Sequence, residues 1–254
     1  MNVPTMHTVA IIPARYASER LPGKPLVDIG GKPMIQHVYE RTALAKQVHR
    51  VIVATDDERI ATTVRGFGGE ALMTPFSLKS GSDRIAYVAR SLNNADIIVN
   101  VQGDEPLIVP DMIDQAVVPL REDHTLVAGT LVRKIRTENE LLNPSIPKVV
   151  LDKNGFCLYF SRSPIPFVRD HARAQWMVEG EFYKHIGLYV YQREFLLTYS
   201  TLPQTPLELL EKLEQLRILE HGYRIKAVVT SYDTTPVDTP DDLEKVRVLI
   251  TGTP

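Results

Sequence analysis

Short runs of β-branched and aliphatic residues alternate with longer stretches of mixed polarity through the first half of the chain. The runs occupy residues 9–13, 50–54, 70–73, 95–101 and 125–132. Between them, residues 34–46, 58–67, 82–92 and 111–120 repeat their apolar positions every three or four residues, the period of a helix with one buried face. Strands of this length separated by helices predict βαβ units on a mostly parallel sheet. Ile97, Ile98 and Val99 are apolar at consecutive positions, which predicts burial on both faces in the middle of that sheet.

The rhythm changes near residue 135. Asn143-Pro144-Ser145-Ile146-Pro147 reads as a turn, and residues 148–151, 156–161 and 185–191 are richer in aromatics with no helices of equal length between them. This predicts a largely antiparallel insert over 135–191 that decorates a single domain spanning 1–254. A helical period returns over 206–221, where Leu209, Leu210, Leu213 and Leu216 are read as core. Residues 226–230 predict one more strand. Thr239 and Pro240 then open a last helix, as N-cap and first residue.

Composition narrows the class without identifying it. With 254 residues, 44% of them hydrophobic and 24% charged, the chain belongs with ordinary globular proteins. A chain of this length buries roughly 70 to 75% of its unfolded surface, so it needs no covalent staple. Its 29 Lys and Arg against 31 Asp and Glu give a net charge of −2. No protein-wide field therefore draws it to nucleic acid or an anionic membrane, and any anion site is local. The first nine residues lack the pattern of a signal peptide, and no apolar run approaches the ~18 residues of a membrane span. The single cysteine, Cys157, lies in an apolar run and reads as a buried, inert thiol rather than a nucleophile. A reducing cytoplasm fits these features.

Candidate chemistry sits where strands end. After the first strand, the loop from Pro13 to Leu26 carries Arg15, Arg20 and Lys24 on a backbone stiffened by Pro22, Gly23 and Pro25. Ligands of open parallel sheets bind beyond the carboxyl ends of the strands, and Arg and Lys there can hold a polyphosphate. A solvated basic loop is the competing reading, since neither common phosphate-loop glycine pattern is present. Asp104 follows the central strand in Gln102-Gly103-Asp104-Glu105-Pro106 and can serve a hard divalent cation, or simply a turn or helix cap. Asp238 offers the same two readings just ahead of the last helix. In the second half, Arg162 is suited to a carboxylate, and His185 and Tyr189 share strand parity. Taken singly, each of these is more often structural. No CxxC, HExxH or nucleophile triad is present, which removes zinc hydrolysis and acyl transfer.

Taken together, the motifs resemble a known family. Ile11-Ile12-Pro13-Ala14-Arg15-Tyr16-Ala17-Ser18 and Arg20-Leu21-Pro22-Gly23-Lys24-Pro25-Leu26 are similar to the opening signature of the 3-deoxy-manno-octulosonate (KDO) cytidylyltransferases, or CMP-KDO synthetases. The likeness continues in order through Ala54-Thr55-Asp56-Asp57, Ser80-Gly81, Asn100 to Pro106, Lys148-Val149-Val150, Tyr159 to Arg162, His185 to Tyr189, Leu213 to Arg217 and Val237 to Pro240. It implies an α/β fold: a mostly parallel, Rossmann-like nucleotidyltransferase sheet flanked by helices, with a smaller antiparallel insert. It also implies transfer of CMP from CTP to KDO with release of pyrophosphate, for lipopolysaccharide biosynthesis in the cytoplasm. By position, the resemblance implies Arg15 and Lys24 on the triphosphate, with Ser80 and Gly81 also touching the nucleotide. It assigns Asp104 and Asp238 to Mg²⁺, and Gln102, Arg162, His185, Tyr189, Glu214 and Gln215 to the KDO pocket. Arg15, Lys24, Asp104 and Asp238 are the implied catalytic set, in a homodimer joined through the insert.

That assignment is chemically coherent. The anomeric hydroxyl of KDO must meet the α-phosphorus while charge gathers on the departing pyrophosphate, so alignment and cations are what the reaction needs. The sequence departs from the family pattern at Glu19, Leu78 and Lys79, positions that bear on nucleotide contacts. The alternatives are a related CMP-sugar-acid synthetase, such as CMP-sialate synthetase, and a non-catalytic nucleotide-binding protein.

Overall fold

The computed structural model describes residues 6–17, 20–78 and 80–252. In chain order the strands are β1 (Thr8–Ala14), the short hairpin β2 (Asp28–Ile29) and β3 (Lys32–Pro33), β4 (Arg50–Thr55), β5 (Ala71–Met73), β6 (Ile97–Asn100), β7 (Ala128–Lys134), β8 (Lys148–Leu151), β9 (Cys157–Ser161), β10 (Tyr183–Gln192) and β11 (Ile225–Val229). The helices are α1 (Met34–Ala43), α2 (Glu58–Gly66), α3 (Gly81–Arg90), α4 (Pro110–Glu122), α5 (Glu138–Leu142), α6 (Trp176–Glu179), α7 (Arg193–Tyr199), α8 (Pro206–Glu211), α9 (Gln215–Glu220) and α10 (Pro240–Thr251). The main sheet runs β11-β7-β10-β6-β1-β4-β5. Within it β10 alone is antiparallel to its neighbours β6 and β7, and the other pairings are parallel. The expected α/β architecture is present.

The pattern of the strands explains the layers. Alternate residues of β1 enter opposite cores: Ala10 and Ile12 meet Val38, Ile60, Val64 and Ile113 from α1, α2 and α4. Val9 and Ile11 meet Ile85, Ala89, Leu196 and Leu216 from α3, α7 and α9. With Ile97 and Val99 on one side and Ile98 on the other, β6 is buried on both faces, as its continuous apolar run predicts. Full burial of each such side chain contributes about 1.5–3 kcal/mol. Cys157 is buried, and burial pushes its thiol pKa up to about 12, which fits an inert thiol. No described helix is long and apolar enough to cross a membrane.

Three expectations need correction. First, residues 135–191 are not insert throughout. The hairpin of β8 and β9 is the antiparallel extension, whereas β10 returns into the sheet between β6 and β7. Periodicity reports which faces of a strand are buried, not which strands flank it, so the sequence could not place β10. Second, the helix predicted over 206–221 is two helices, because Lys212 adopts a left-handed conformation with φ 53°. Arg162 causes this locally: its Nε donates to the Glu211 carbonyl at 2.7 Å and its Nη2 to the Lys212 carbonyl at 3.4 Å. A continuous helix would use both carbonyls internally. Third, that break turns Leu209 and Leu210 outward, at 47% and 79% exposure, while Leu213 and Leu216 remain in the core. Two strands are also shorter than read: the Asp123 carboxylate takes the Thr125 amide and hydroxyl, delaying β7, and the Asp96 carboxylate takes the His7 amide ahead of β6.

A buried ion pair holds the two short helices together. Arg217 Nε donates to Glu208 Oε2 at 2.7 Å, with Glu208 3% and Arg217 8% exposed. Burial alone would raise the Glu208 carboxyl, but the Arg217 fork outweighs it and holds the pKa below the ordinary 4.5. Glu208→Ala strands the arginine and is expected to destabilise the fold by about 3–5 kcal/mol in urea unfolding. Because the folded pKa is depressed, the contribution is complete above the ordinary glutamate value and is lost as pH falls through the folded one. Unfolding curves of Glu208→Ala and the parent should therefore converge in acid.

Candidate active site

The C-terminal ends of β1 and β6 lie side by side, and the loops leaving them build the site. Gly103 makes the close approach possible: a Cβ there would lie 2.7 Å from the Pro13 carbonyl oxygen. Gly23 performs a similar service in the β1 loop. Its φ is 66°, its N–H donates to the Tyr16 carbonyl at 3.1 Å, and a Cβ would meet the Tyr16 ring at 3.2 Å. The closed loop delivers Lys24 to the end of β6.

There Lys24 Nζ donates to Asp104 Oδ2 at 2.7 Å and to Asp238 Oδ1 at 2.9 Å. A backbone hydrogen bond from Val237 N–H to the Asp104 carbonyl, 2.9 Å, holds the two acidic segments together. Burial works against the Lys24 ammonium, but Asp104 and then Asp238 overcome it and raise its pKa above the ordinary 10.5. Arg20 adds a second cation 3.3 Å from Asp238. Neither acid is a helix N-cap, although Asp104 does lie in a turn, in which the Glu105 amide donates to the Gln102 carbonyl at 3.3 Å. Thr239, not Asp238, caps α10 by accepting the Asp242 amide, and Val109, not Asp104, precedes α4. Two carboxylate oxygens converging on one ammonium form a place already fitted to a cation. Among the described residues no third His, Cys, Asp or Glu joins them. Two carboxylates are within what Mg²⁺ takes from a protein, since it keeps several waters or phosphate oxygens.

Glu105, beside Asp104, went unnoticed in the sequence. It is 8% exposed, and burial, followed by the charge of Asp104, pushes its pKa up to about 8. At neutral pH it therefore adds little negative charge to the cluster.

Two depressions meet at this edge. One is lined by Pro13, Arg15, Lys24, Gln102, Gly103 and Asp104. The other, on the β10 side, is lined by Gly81, Ser82, Asn100, Tyr189, Lys212, Glu214 and Gln215, and Gln102 belongs to both. Gln102 is set by its own strand, donating from Nε2 to Asn100 Oδ1 at 3.2 Å. Ser80 caps α3 by accepting the Asp83 amide at 3.0 Å, which turns Gly81 and Ser82 toward the second depression. Ser82 donates to Glu214 Oε2 at 2.6 Å. Gln215 is 4% exposed, and its buried Nε2 has no protein partner among the described residues. Asn100, Ser82 and Lys212 escaped the sequence reading, although Asn100 shares a strand face with Gln102 and that spacing was available.

Two of the expected pocket residues stand behind the lining. His185 packs on Tyr189, with ring centroids 5.1 Å apart, so the shared face expected of the pair is observed. Thr130 Oγ1 lies 2.8 Å from the Leu188 carbonyl, which claims its single proton, so it accepts from His185 Nε2–H at 2.9 Å. Burial pushes the His185 pKa down to about 3 and keeps the imidazole neutral. Arg162 lies outside the second depression. Besides the carbonyls of Glu211 and Lys212, its Nη1 reaches the Pro144 carbonyl at 2.9 Å, so its guanidinium braces the α8–α9 break. Glu19 and Lys79, two of the departures from the family pattern, lie outside the described residues.

The cytidylyltransferase family model matches residues 9–225. A 3-deoxy-manno-octulosonate cytidylyltransferase of Geobacter sulfurreducens is 56% identical over 246 residues, covering 95% of this chain and 98% of the relative. One from Geotalea uraniireducens is 57% identical over 250 residues, covering 95% and 98%. The chain belongs to the 3-deoxy-manno-octulosonate cytidylyltransferase family. A solved CMP:2-keto-3-deoxy-manno-octonic acid synthetase complexed with CTP superposes with a TM-score of 0.91 at 45% identity, over 97% of this chain and 99% of that one. A 4-diphosphocytidyl-2C-methyl-D-erythritol synthase from Anaerococcus prevotii, at 12% identity and a TM-score of 0.63 over 97% of this chain and 96% of that one, shares the fold.

The placement of Arg162 leads to a distinguishing prediction. If its forked contacts matter, Arg162→Lys fails almost as fully as Arg162→Ala, since an ammonium cannot span three carbonyls. Both variants are expected to lose about 1.5–3 kcal/mol of stability. Both should also speed amide hydrogen exchange in residues 213–217. Retention of parental exchange by Arg162→Lys would show that charge alone suffices.

Proposed function

We propose that this chain transfers CMP from CTP to KDO, giving CMP-KDO and pyrophosphate for lipopolysaccharide biosynthesis in the cytoplasm. The observation that carries the reading is the convergence of Asp104 and Asp238 on Lys24 beside Gln102, which lines both depressions. On this reading the depression with Arg15 and Lys24 takes the triphosphate, with Ser80 on the nucleotide and Gly81, which lines the second depression but lies against Pro13 of the first, touching the nucleotide where the two meet. The depression with Tyr189, Glu214 and Gln215 takes the sugar acid. Gln215 Nε2, without a protein partner among the described residues, offers a donor to an acceptor-rich ligand, and a buried donor left unpaired costs about 1–3 kcal/mol.

Arg15 and Lys24 gather the phosphates and oppose the charge that builds on the departing pyrophosphate. Gln102 stands between the two substrates and orients them. His185, neutral and committed as a donor to Thr130, fixes the Tyr189 ring rather than taking a proton. Asp104 and Asp238 would hold Mg²⁺, which when bound supplies positive charge at the phosphates. Arg162 serves the sugar acid indirectly, by holding the turn that carries Lys212 and Glu214.

Pyrophosphate release measured for four nucleoside triphosphates against KDO, an 8-amino analogue and sialate tests the reaction. CTP with KDO is expected to be the preferred pair. Preference for sialate would move the chain to a related synthetase, and CTP binding without turnover with any acid would make it a nucleotide-binding protein. Asp104→Asn and Asp238→Asn should each abolish most turnover with the circular dichroism spectrum unchanged, and excess EDTA should do the same. Full activity in EDTA would remove the metal from the scheme.

The active form is a homodimer, joined through the segment 135–191. Phe167 and Val178 in that segment are 74% and 83% exposed, large apolar surface suited to a second copy. Light scattering should give about twice the 28.6 kDa chain mass. A monomer at micromolar concentration would refute the assembly and leave the site unaffected.

A further inference from the structure

β4 ends in two aspartates, and each is joined to an arginine and to the loop that follows β1. Asp56 Oδ2 accepts from Arg84 Nη2 at 2.8 Å and lies 4.0 Å from Arg15 Nε. Behind it Arg84 is fully buried, at 0% exposure, with its Nη1 on the Thr74 hydroxyl. The Asp56 side chain is 7% exposed and that of Arg15 36%, so the three run in line from the core to the cleft. The next residue repeats the arrangement one step outward. Asp57 accepts from Arg59 Nε at 2.9 Å and Nη2 at 2.6 Å, and the Arg59 guanidinium lies over the Tyr16 ring, 3.3 Å from its centroid. Arg15 and Tyr16 are thus held from the same strand end, just before the loop closes at Gly23.

A buried arginine is costly, and a core position could be filled by an apolar side chain of similar volume. Its position behind Asp56 explains why it is there. A bare carboxylate next to an anion-binding loop would repel the ligand, whereas a carboxylate neutralised from behind can hold Arg15 without opposing the phosphates. Arg15 Nη2, which shares the Nε edge of the guanidinium, is buried and has no protein partner among the described residues, so Asp56 steadies that edge from the Nε side and leaves the Nη2 protons for an anion.

We propose that Asp56, backed by Arg84, is a positioning residue that aims Arg15 at the triphosphate of CTP. The inference rests on the reading of Arg15 as a phosphate contact. It assigns the Thr55-Asp56-Asp57 strand end a part in nucleotide affinity, although neither carboxylate lines the depression that holds Lys24 and Asp104.

A double-mutant cycle on the full chain tests it, with CTP and Mg²⁺ titrated calorimetrically and both Michaelis constants measured. Asp56→Asn is expected to weaken CTP binding about three- to tenfold, the size of a coupling between contacting groups, and to leave the Michaelis constant for KDO within about twofold. In an Arg15→Ala background the same change should have no further effect on CTP. An equal loss in both backgrounds, or no loss in the parent, overturns the positioning role while leaving Arg15 as a phosphate contact. CTP binding unaffected by Arg15→Ala refutes the phosphate reading and the positioning role with it. If Asp56→Asn alone fails to fold with Arg84 partly unpaired, Asp56→Asn combined with Arg84→Gln removes both charges. The same non-additivity with Arg15→Ala is then required.

Discussion

Two carboxylates brought to one point at the end of a buried sheet need a cation between them. Two unit charges about 4 Å apart at an effective dielectric constant of ~20 interact by about 4 kcal/mol, a large fraction of a domain's stability. Much of the local architecture serves to bring Asp104, Asp238 and Lys24 together from segments up to 214 residues apart. Val237, fully buried with Ile29, Met34, Leu243 and Val246, anchors the Asp238 segment onto the β2–β3 hairpin and α10. Its amide then ties that segment to the Asp104 carbonyl. Gly103 lets the β6 loop lie against β1, and Gly23 closes the β1 loop so that Lys24 arrives. Without the ammonium, the same packing would force like charges together.

This dependence explains which parts were legible in the sequence. Local patterns recorded burial well: β6 read as a strand buried on both faces, and the Thr239-Pro240 start of α10 is observed as read. Asp104 and Asp238 taken singly were undecidable, because a turn, a cap and a cation ligand look alike until the fold shows what each carboxylate faces. Whole-chain resemblance resolved them by supplying order and spacing. The break at Lys212 was not legible, since it arises from competition for backbone carbonyls by Arg162, 50 residues away in the chain. For the same reason Arg162 looked like a ligand-gripping cation: its residue type suits a carboxylate, and only the fold reveals three carbonyls already in its reach. Glu105 was hidden by its neighbour, because its environment rather than its residue type sets it apart.

The electrostatics of the edge are economical in mobile charge. Glu105 is largely protonated at neutral pH, His185 is neutral, and Arg84 offsets Asp56 from behind. Among the described residues, the charges at the cleft are those of Arg15, Arg20, Lys24, Asp104 and Asp238, with Lys212 and Glu214 on the far side of Gln102. A chain with net charge −2 can therefore present a local field suited to anions.

Some of the unpaired polar atoms gather at the same edge. Of the buried side-chain atoms without a protein partner among the described residues, Arg15 Nη2, Glu105 Oε2 and Gln215 Nε2 belong to residues that line the two depressions or adjoin them. A buried polar atom left without any partner costs about 1–3 kcal/mol. A ligand that satisfies them recovers that energy on binding without having to order the side chains, which packing already holds in place. The proposed substrates, one rich in phosphate oxygens and the other a polyhydroxy acid, supply acceptors for both donors. Strain of this kind is tolerable only where the surrounding core is secure. That is the position of this site, at the carboxyl ends of two strands buried on both faces.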